Sequence, residues 1–293
     1  MKDHTIYTST EGKSRVLAAY DSYLELLPAD FERIHVSTRF GVTHTLVTGP
    51  KDAKPVFILQ GGNCINPMTL SWFKSLFHDY RIYAPDTIGH PGYSDETRIS
   101  AKNDHFALWL SDLMDAFSIT KSAFIGPSYG AGIILRLATY LPDKIACSVL
   151  ISPAGLALGS KASMLRMILF PLLLFKLNNS DRPLQKIADA MSLQTMQETD
   201  KMIIGEIFKS VRLERNMPKL TDKSELVNLS SPTMIIAGSK DIFFPSEKVV
   251  HKASETIPNL VKCLSYEMGH FPSEQRLLSI NQEIRNFFQT YYE

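Results

Sequence analysis

The chain has 293 residues, 44% hydrophobic and 21% charged, a balance that supports a sizeable buried core and excludes an intrinsically disordered chain. Thirty-one Lys and Arg against thirty Asp and Glu leave a formal charge of +1, so no overall field draws it to nucleic acid or to an anionic membrane. Three widely spaced cysteines, Cys64, Cys147 and Cys263, sit beside apolar residues and read as free thiols rather than a disulfide framework or a metal-binding set.

The opening stretch, MKDHTIYTSTEGKSR, lacks the apolar run of a signal peptide, which predicts a cytoplasmic protein. Residues 14–27 carry apolar positions at helical spacing and stop at Pro28, so a helix is expected there. HVSTRFGVTHTLVTG then alternates around Gly41, and PVFILQG (Pro55 to Gly61) is a continuous apolar run ending in glycine, as in a strand buried on both faces. RIYAPD, SAFIGPS, CSVLISPA and PTMIIAGSKD repeat that plan, with helical segments between them at Pro67 to Phe77, Lys102 to Phe117 and Tyr129 to Leu141. Strands alternating with helices predict an α/β protein with a parallel sheet covered on both faces, its sites at the carboxyl ends of the strands.

From Gly155 to about Leu229 the rhythm breaks. This stretch has no convincing strand, is rich in Met and Leu, and contains SDRPLQKIADAMSLQ, where Ser180 or Asp181 could cap a helix. Its apolar run from Met164 to Leu177 is interrupted by Arg166 and Pro171 and falls short of the roughly 20 residues of a membrane span. The economical reading is one core, residues 1–154 and 230–293, with a helical cap inserted at 155–229 and no stable membrane insertion. Core elements resume with PTMIIAGSKD, a helix near Ser246 to Glu255, a strand LVKCLSYE and a closing helix from Pro272 to Tyr292.

FIGPSYGAG contains the pattern G-x-S-x-G where a strand should turn into a helix. A serine on so sharp a turn is strained, and Gly126 and Gly130 supply neighbours without Cβ atoms; Gly132 would let the following helix approach the sheet. The turn would project the Ser128 hydroxyl over the sheet edge and aim the Tyr129 N–H, at a helix start, toward a developing oxyanion. A serine nucleophile needs a base, and the base needs an orienting carboxylate. Asp241, just past the strand in GSKD, and His270, in the loop EMGHF before the last helix, follow Ser128 in the order Ser, acid, His. The loop in FILQGGNCIN offers a second oxyanion donor, Gly62 N–H, with Asn63 as the alternative. Asp86, in DTIGHPGYSD, is an acid after a strand and could be catalytic; His90 in the same loop is a weaker candidate base.

Taken together, THTLVTGP, FILQGG, RIYAPDTIGHPGYSD, FIGPSYGAG, MIIAGSKDIFFP and EMGHFP resemble, in order and interval, the α/β-hydrolase fold, and within it bacterial carboxylesterases of the NP type. The resemblance implies a mostly parallel central sheet flanked by helices, a helical cap, esterase activity and no cofactor or metal. Carried over by motif, Ser128 is the nucleophile, Asp241 the acid, His270 the base, and Gly62 and Tyr129 the oxyanion donors, while the resemblance gives Asp86 a structural role, ordering the loop from Thr87 to Ser94. The expected substrate is a small to medium, moderately hydrophobic ester held near Asn63, Phe243 and Phe244. A carbon–carbon hydrolase, thioesterase or acyltransferase with the same triad, or a non-catalytic ligand-binding relative, shares these motifs. Two departures stand out: Gln60 replaces a histidine before Gly61, and Pro127 precedes the nucleophile.

Overall fold

The computed structural model describes residues 5–293; the first four residues of the opening stretch lie outside it. The first helix, α1 (Thr10–Leu24), starts earlier than apolar spacing predicts, because Ser9 caps it by accepting from Gly12 N at 3.0 Å. It also ends before Leu27, the residue preceding Pro28, where helical backbone is disfavoured. Strands β1 (Glu32–Thr38) and β2 (Gly41–Thr48) form an antiparallel hairpin that turns at Arg39 and Phe40. β3 (Pro55–Ile58), α2 (Asn66–Ser71), β4 (Arg81–Pro85), α3 (His105–Ala116), β5 (Ser122–Pro127), α4 (Tyr129–Tyr140) and β6 (Ile145–Ile151) follow. The helix expected over Pro67 to Phe77 is two pieces, α2 and a 3-10 turn at Lys74–Leu76.

Between β6 and the next strand the chain is helical. α5 (Lys161–Met164) runs through a π-turn (Leu165–Leu169) into α6 (Phe170–Asn178), followed by α7 (Asp181–Ser192) and α8 (Glu198–Ser210). The wide turn lies just before Pro171, whose missing N–H and bulky ring a regular helix accommodates poorly. β7 (Thr233–Gly238), α9 (Ser246–Thr256), β8 (Leu260–Tyr266) and α10 (Glu274–Tyr291) complete the chain.

The eight strands form one sheet in the order β1-β2-β4-β3-β5-β6-β7-β8, and every pairing from β4 through β8 is parallel. Alternate residues feed two cores. Val56, Ile58, Ala123 and Ile125 face α1, α2 and α10, whereas Phe57, Leu59 and Phe124 face α3, α4 and α9. Because β3 is followed in the chain by β4 on one side and β5 lies on its other side, the strand order reverses at β3. A crevice at the carboxyl ends of β3 and β5 results. Cys64 and Cys147 are buried free thiols, and Cys263 is partly exposed.

Candidate active site

The crevice is built around a strained backbone turn. Ser128, between β5 and α4, has φ 53° and ψ −115°, outside the regions an L-residue adopts freely. Its N–H donates to Ile151 O at 2.8 Å and its C=O accepts from Ala154 N at 3.1 Å, so the conformation is clamped by β6 and the loop after it. The glycines permit close approach. A Cβ on Gly126 would lie 2.5 Å from Gly130 C, and one on Gly130 would lie 2.6 Å from Leu59 O and 2.9 Å from Gln60 O. The start of α4 therefore rests directly on the ends of β5 and β3. Gly132 has a different neighbour from the expected one. A Cβ there would meet Pro218 Cγ at 2.4 Å, so it makes room for the segment between α8 and β7 rather than for the sheet.

Pro127 also has a physical place. Backbone N–H groups alternate between neighbouring strands, and Ser128 donates toward β6. Position 127 thus faces the β3 side, one step past the last bond between those strands, Leu59 N to Ile125 O at 2.9 Å, so the proline ends the ladder there.

The Ser128 side chain is partly exposed and makes no hydrogen bond among the described residues. Two strands away, Asp241 follows β7, and one strand farther His270 follows β8, all at the same end of the sheet. His270 Nδ1 lies 2.8 Å from Asp241 Oδ2, and the other carboxylate oxygen accepts from Phe243 N at 2.8 Å and Phe244 N at 3.1 Å. Burial pushes the Asp241 carboxyl up, but the His270 charge and hydrogen bond together with the two N–H groups outweigh it, and the net shift is down. Asp241 is held as a carboxylate. The Phe243 and Phe244 rings pack against the imidazole at centroid distances of 4.9 and 5.6 Å, and Phe244 is buried.

Gly62 lies against Tyr129: a Cβ on it would sit 3.0 Å from Tyr129 Cβ. Tyr129 is the first residue of α4, where a helix leaves its N–H groups without intrahelical partners. Asn63 adopts φ 51°, and its side chain is committed. Nδ2 donates to Glu214 O at 3.2 Å and Oδ1 accepts from Glu214 N at 2.7 Å. Glu214 is itself buried, with Oε1 accepting from Arg215 N and Asn216 N and Oε2 3.3 Å from Arg98 Nε. The Tyr129 hydroxyl donates to Asn216 O at 3.3 Å. A length of chain more than 150 residues downstream thus ties down the Gly62 loop, a link that leaves no local mark in the sequence.

Gln60 resolves one departure. Buried, it donates from Nε2 to Cys64 O and to Pro91 O at 3.0 Å, and accepts from Thr87 N at 2.9 Å. It joins the glycine loop to the loop after β4 by itself. Asp86 is likewise spoken for, accepting from Tyr20 Oη at 2.8 Å and Tyr93 N at 2.8 Å with His44 Nδ1 at 2.9 Å. His90 packs against Tyr129 with the rings tilted and their centroids 4.7 Å apart, and burial pushes its pKa down to about 4.

The segment between β6 and β7 reaches the loops after β7, β8 and β3 and the start of α4. Gly159 N donates to Phe243 O at 2.6 Å, Phe271 N donates to Met191 O at 2.9 Å, and Glu214 and Asn216 reach Asn63 and Tyr129. Two surface clefts lie elsewhere, one bounded by Asp79, Tyr80, Arg285, Gln289 and Glu293, the other by Arg15, Lys176, Asn179, Phe208 and Lys209.

Comparison with known proteins agrees with this architecture. Residues 54–178 match the family described as alpha/beta hydrolase fold. The chain is 24% identical over 293 residues to Carboxylesterase YbfK of Bacillus subtilis (strain 168), covering 98% of each protein. Its fold is similar to that of naproxen esterase (carboxylesterase NP) from Bacillus subtilis, with a TM-score of 0.80, 21% identity and coverage of 96% of this chain and 99% of that one. It also resembles a meta-cleavage product hydrolase from Pseudomonas fluorescens IP01, with a TM-score of 0.69, 17% identity and coverage of 88% and 97%.

Proposed function

We propose that this protein, which has the α/β-hydrolase fold and resembles bacterial carboxylesterases, is a serine hydrolase that cleaves a carboxylic ester through an acyl-enzyme. The observation that carries the reading is Ser128, held at φ 53° with an unbonded hydroxyl, at the same end of the sheet as a buried His270–Asp241 pair joined at 2.8 Å. Strain of this kind persists only where the surroundings enforce it.

In the proposed reaction, Ser128 Oγ attacks the ester carbonyl carbon while His270 Nε2 takes the hydroxyl proton. Asp241, on Nδ1, fixes the tautomer and offsets the imidazolium charge. The negative charge that develops on the carbonyl oxygen is met by the N–H groups of Gly62 and Tyr129. Collapse expels the alcohol with the proton from His270, leaving an acyl-Ser128 ester. A water that gives its proton to His270 then attacks the acyl carbon, and the acid is released as Ser128 recovers its hydrogen.

Residues 155–229 act in this reading as a cap over the crevice, supported by their contacts with the acid loop, the histidine loop and Asn63. Phe243 and those apolar cap residues that face the crevice, not the exposed leucines of the helix after Ser160, favour a small to medium, moderately hydrophobic substrate. Asn63 serves by holding the Gly62 loop, since its side chain is bonded to Glu214. Incubation with a fluorophosphonate followed by peptide mass spectrometry tests the proposal. An adduct on Ser128 is expected, lost in Ser128→Ala together with ester hydrolysis; a Ser128→Ala protein as active as the parent would refute it.

A further inference from the structure

The continuous rod α5–π-turn–α6 has two apolar faces, only one of which is used. Ile168, Pro171 and Phe175 are buried, and Phe175 meets Phe208 of α8 at 6.4 Å. The opposite side carries Leu165, Leu169, Phe170, Leu173 and Leu177, each between 53% and 73% exposed. Four of the five are leucines at successive spacings of four, which gather on one side of a helix. Contiguous apolar surface of this kind, next to charged residues, marks an interaction site.

Its charge pattern decides the partner. From Lys161 to Ser180 the charged residues are Lys161, Arg166 and Lys176, with no Asp or Glu, and none of the three is in an ion pair among the described residues. Beside the far end of the rod, the cleft of Arg15, Lys176, Asn179, Phe208 and Lys209 adds a second cationic feature. Arg15 there is paired with Glu206 at 2.8 Å, whereas Lys209 lies over the Phe175 ring at 5.3 Å. A second copy of the chain fits this surface poorly. A twofold contact would bring Arg166 and Lys176 of one copy against a helix that carries only cations in the other, with no acid from Lys161 to Ser180 to compensate. An anionic lipid surface supplies both what the leucines and what the cations lack.

We infer that the outer face of α5–α6 docks the protein on anionic lipid, with the leucines and Phe170 at the headgroup–acyl boundary and Lys176 and Lys209 taking a headgroup phosphate. The helix lies on the surface and does not span it; no helix among the described residues is long and apolar enough to cross a membrane. The rod begins next to the acid loop, through Gly159 N and Phe243 O. If the proposed esterase reading holds, docking brings the crevice to esters dissolved in the lipid phase.

Flotation of the full chain with vesicles tests this without depending on catalysis. With equal parts phosphatidylcholine and phosphatidylglycerol at low salt, the protein is expected to float with the vesicles, and to do so far less with phosphatidylcholine alone or in high salt. The double variant Leu169→Ser/Leu173→Ser should lower partitioning by at least about tenfold, and Lys176→Glu/Lys209→Glu should abolish the preference for the anionic lipid. The melting temperature of the leucine variant, and hydrolysis of a water-soluble ester by both variants, should be unchanged, because these side chains are exposed. Failure to float with anionic vesicles, or flotation indifferent to the leucine variant, overturns the inference. So does a dimer in sedimentation velocity that Leu173→Ser dissociates, which would assign the face to a second copy.

Discussion

Asn63 offers a test of how the Gly62 loop is held. It sits at φ 51° and exchanges two hydrogen bonds, of 3.2 and 2.7 Å, with the backbone of Glu214. Asn63→Gly keeps the left-handed backbone at little cost and deletes both bonds, each worth about 0.5–1.5 kcal/mol, so about 1–3 kcal/mol is lost. Asn63→Ala deletes the same bonds and adds about 1–2 kcal/mol of left-handed strain. Removing an oxyanion donor outright costs about 2.7–4 kcal/mol; a donor merely loosened costs less. We therefore expect kcat for a p-nitrophenyl ester to fall about 10- to 100-fold in Asn63→Gly, with KM changed less than about threefold, since the interaction is realised in the transition state. Steady-state kinetics and chemical denaturation of both variants separate the two effects. An Asn63→Gly protein with parental kcat would refute the claim that Glu214 positions the loop. Equal stability of the alanine and glycine variants would refute the backbone-strain argument.

Gly130→Ala sets helix propensity against packing. Alanine gains about 1 kcal/mol in a helix, but its Cβ would press on two backbone oxygens at 2.6 and 2.9 Å, and overpacking of that kind costs about 1–3 kcal/mol or more. A net loss is expected in urea denaturation, and a stabilised variant would show that α4 does not rest on β3. His90 predicts a pH effect. Its pKa falls from 6.5 to about 4 on burial, so the unfolded chain binds the proton first and stability declines as pH drops from about 6.5 toward 4. At ~1.4 kcal/mol per unit the difference amounts to roughly 3 kcal/mol. His90→Phe should flatten that part of the stability profile while keeping a ring against Tyr129; an unchanged slope would assign the acid sensitivity to other groups.

What the chain alone specified is local. Strand and helix periods, the glycine-flanked Ser128 turn, and the placement of Asp241 and His270 just beyond apolar strands all follow from short-range sterics and burial, which act over a few residues. Helix ends were less legible, as α1 shows, because a serine cap and a following proline shift a boundary without altering its apolar spacing. Tertiary structure decided the rest. Only there does the strand order reverse at β3, and only there do Gln60 and Asn63 prove to be braces. Gly132 turns out to clear Pro218, and Pro127 ends the pairing of β5 with β3. The bond from Asn63 to Glu214 joins positions 151 residues apart, and contacts of that span are set by how layers pack rather than by any residue's neighbours in sequence. The same holds for α5–α6. In sequence its apolar run reads only as too short and too interrupted to span a membrane; the packing of α7 and α8 covers one apolar face and leaves the leucines of the other in water.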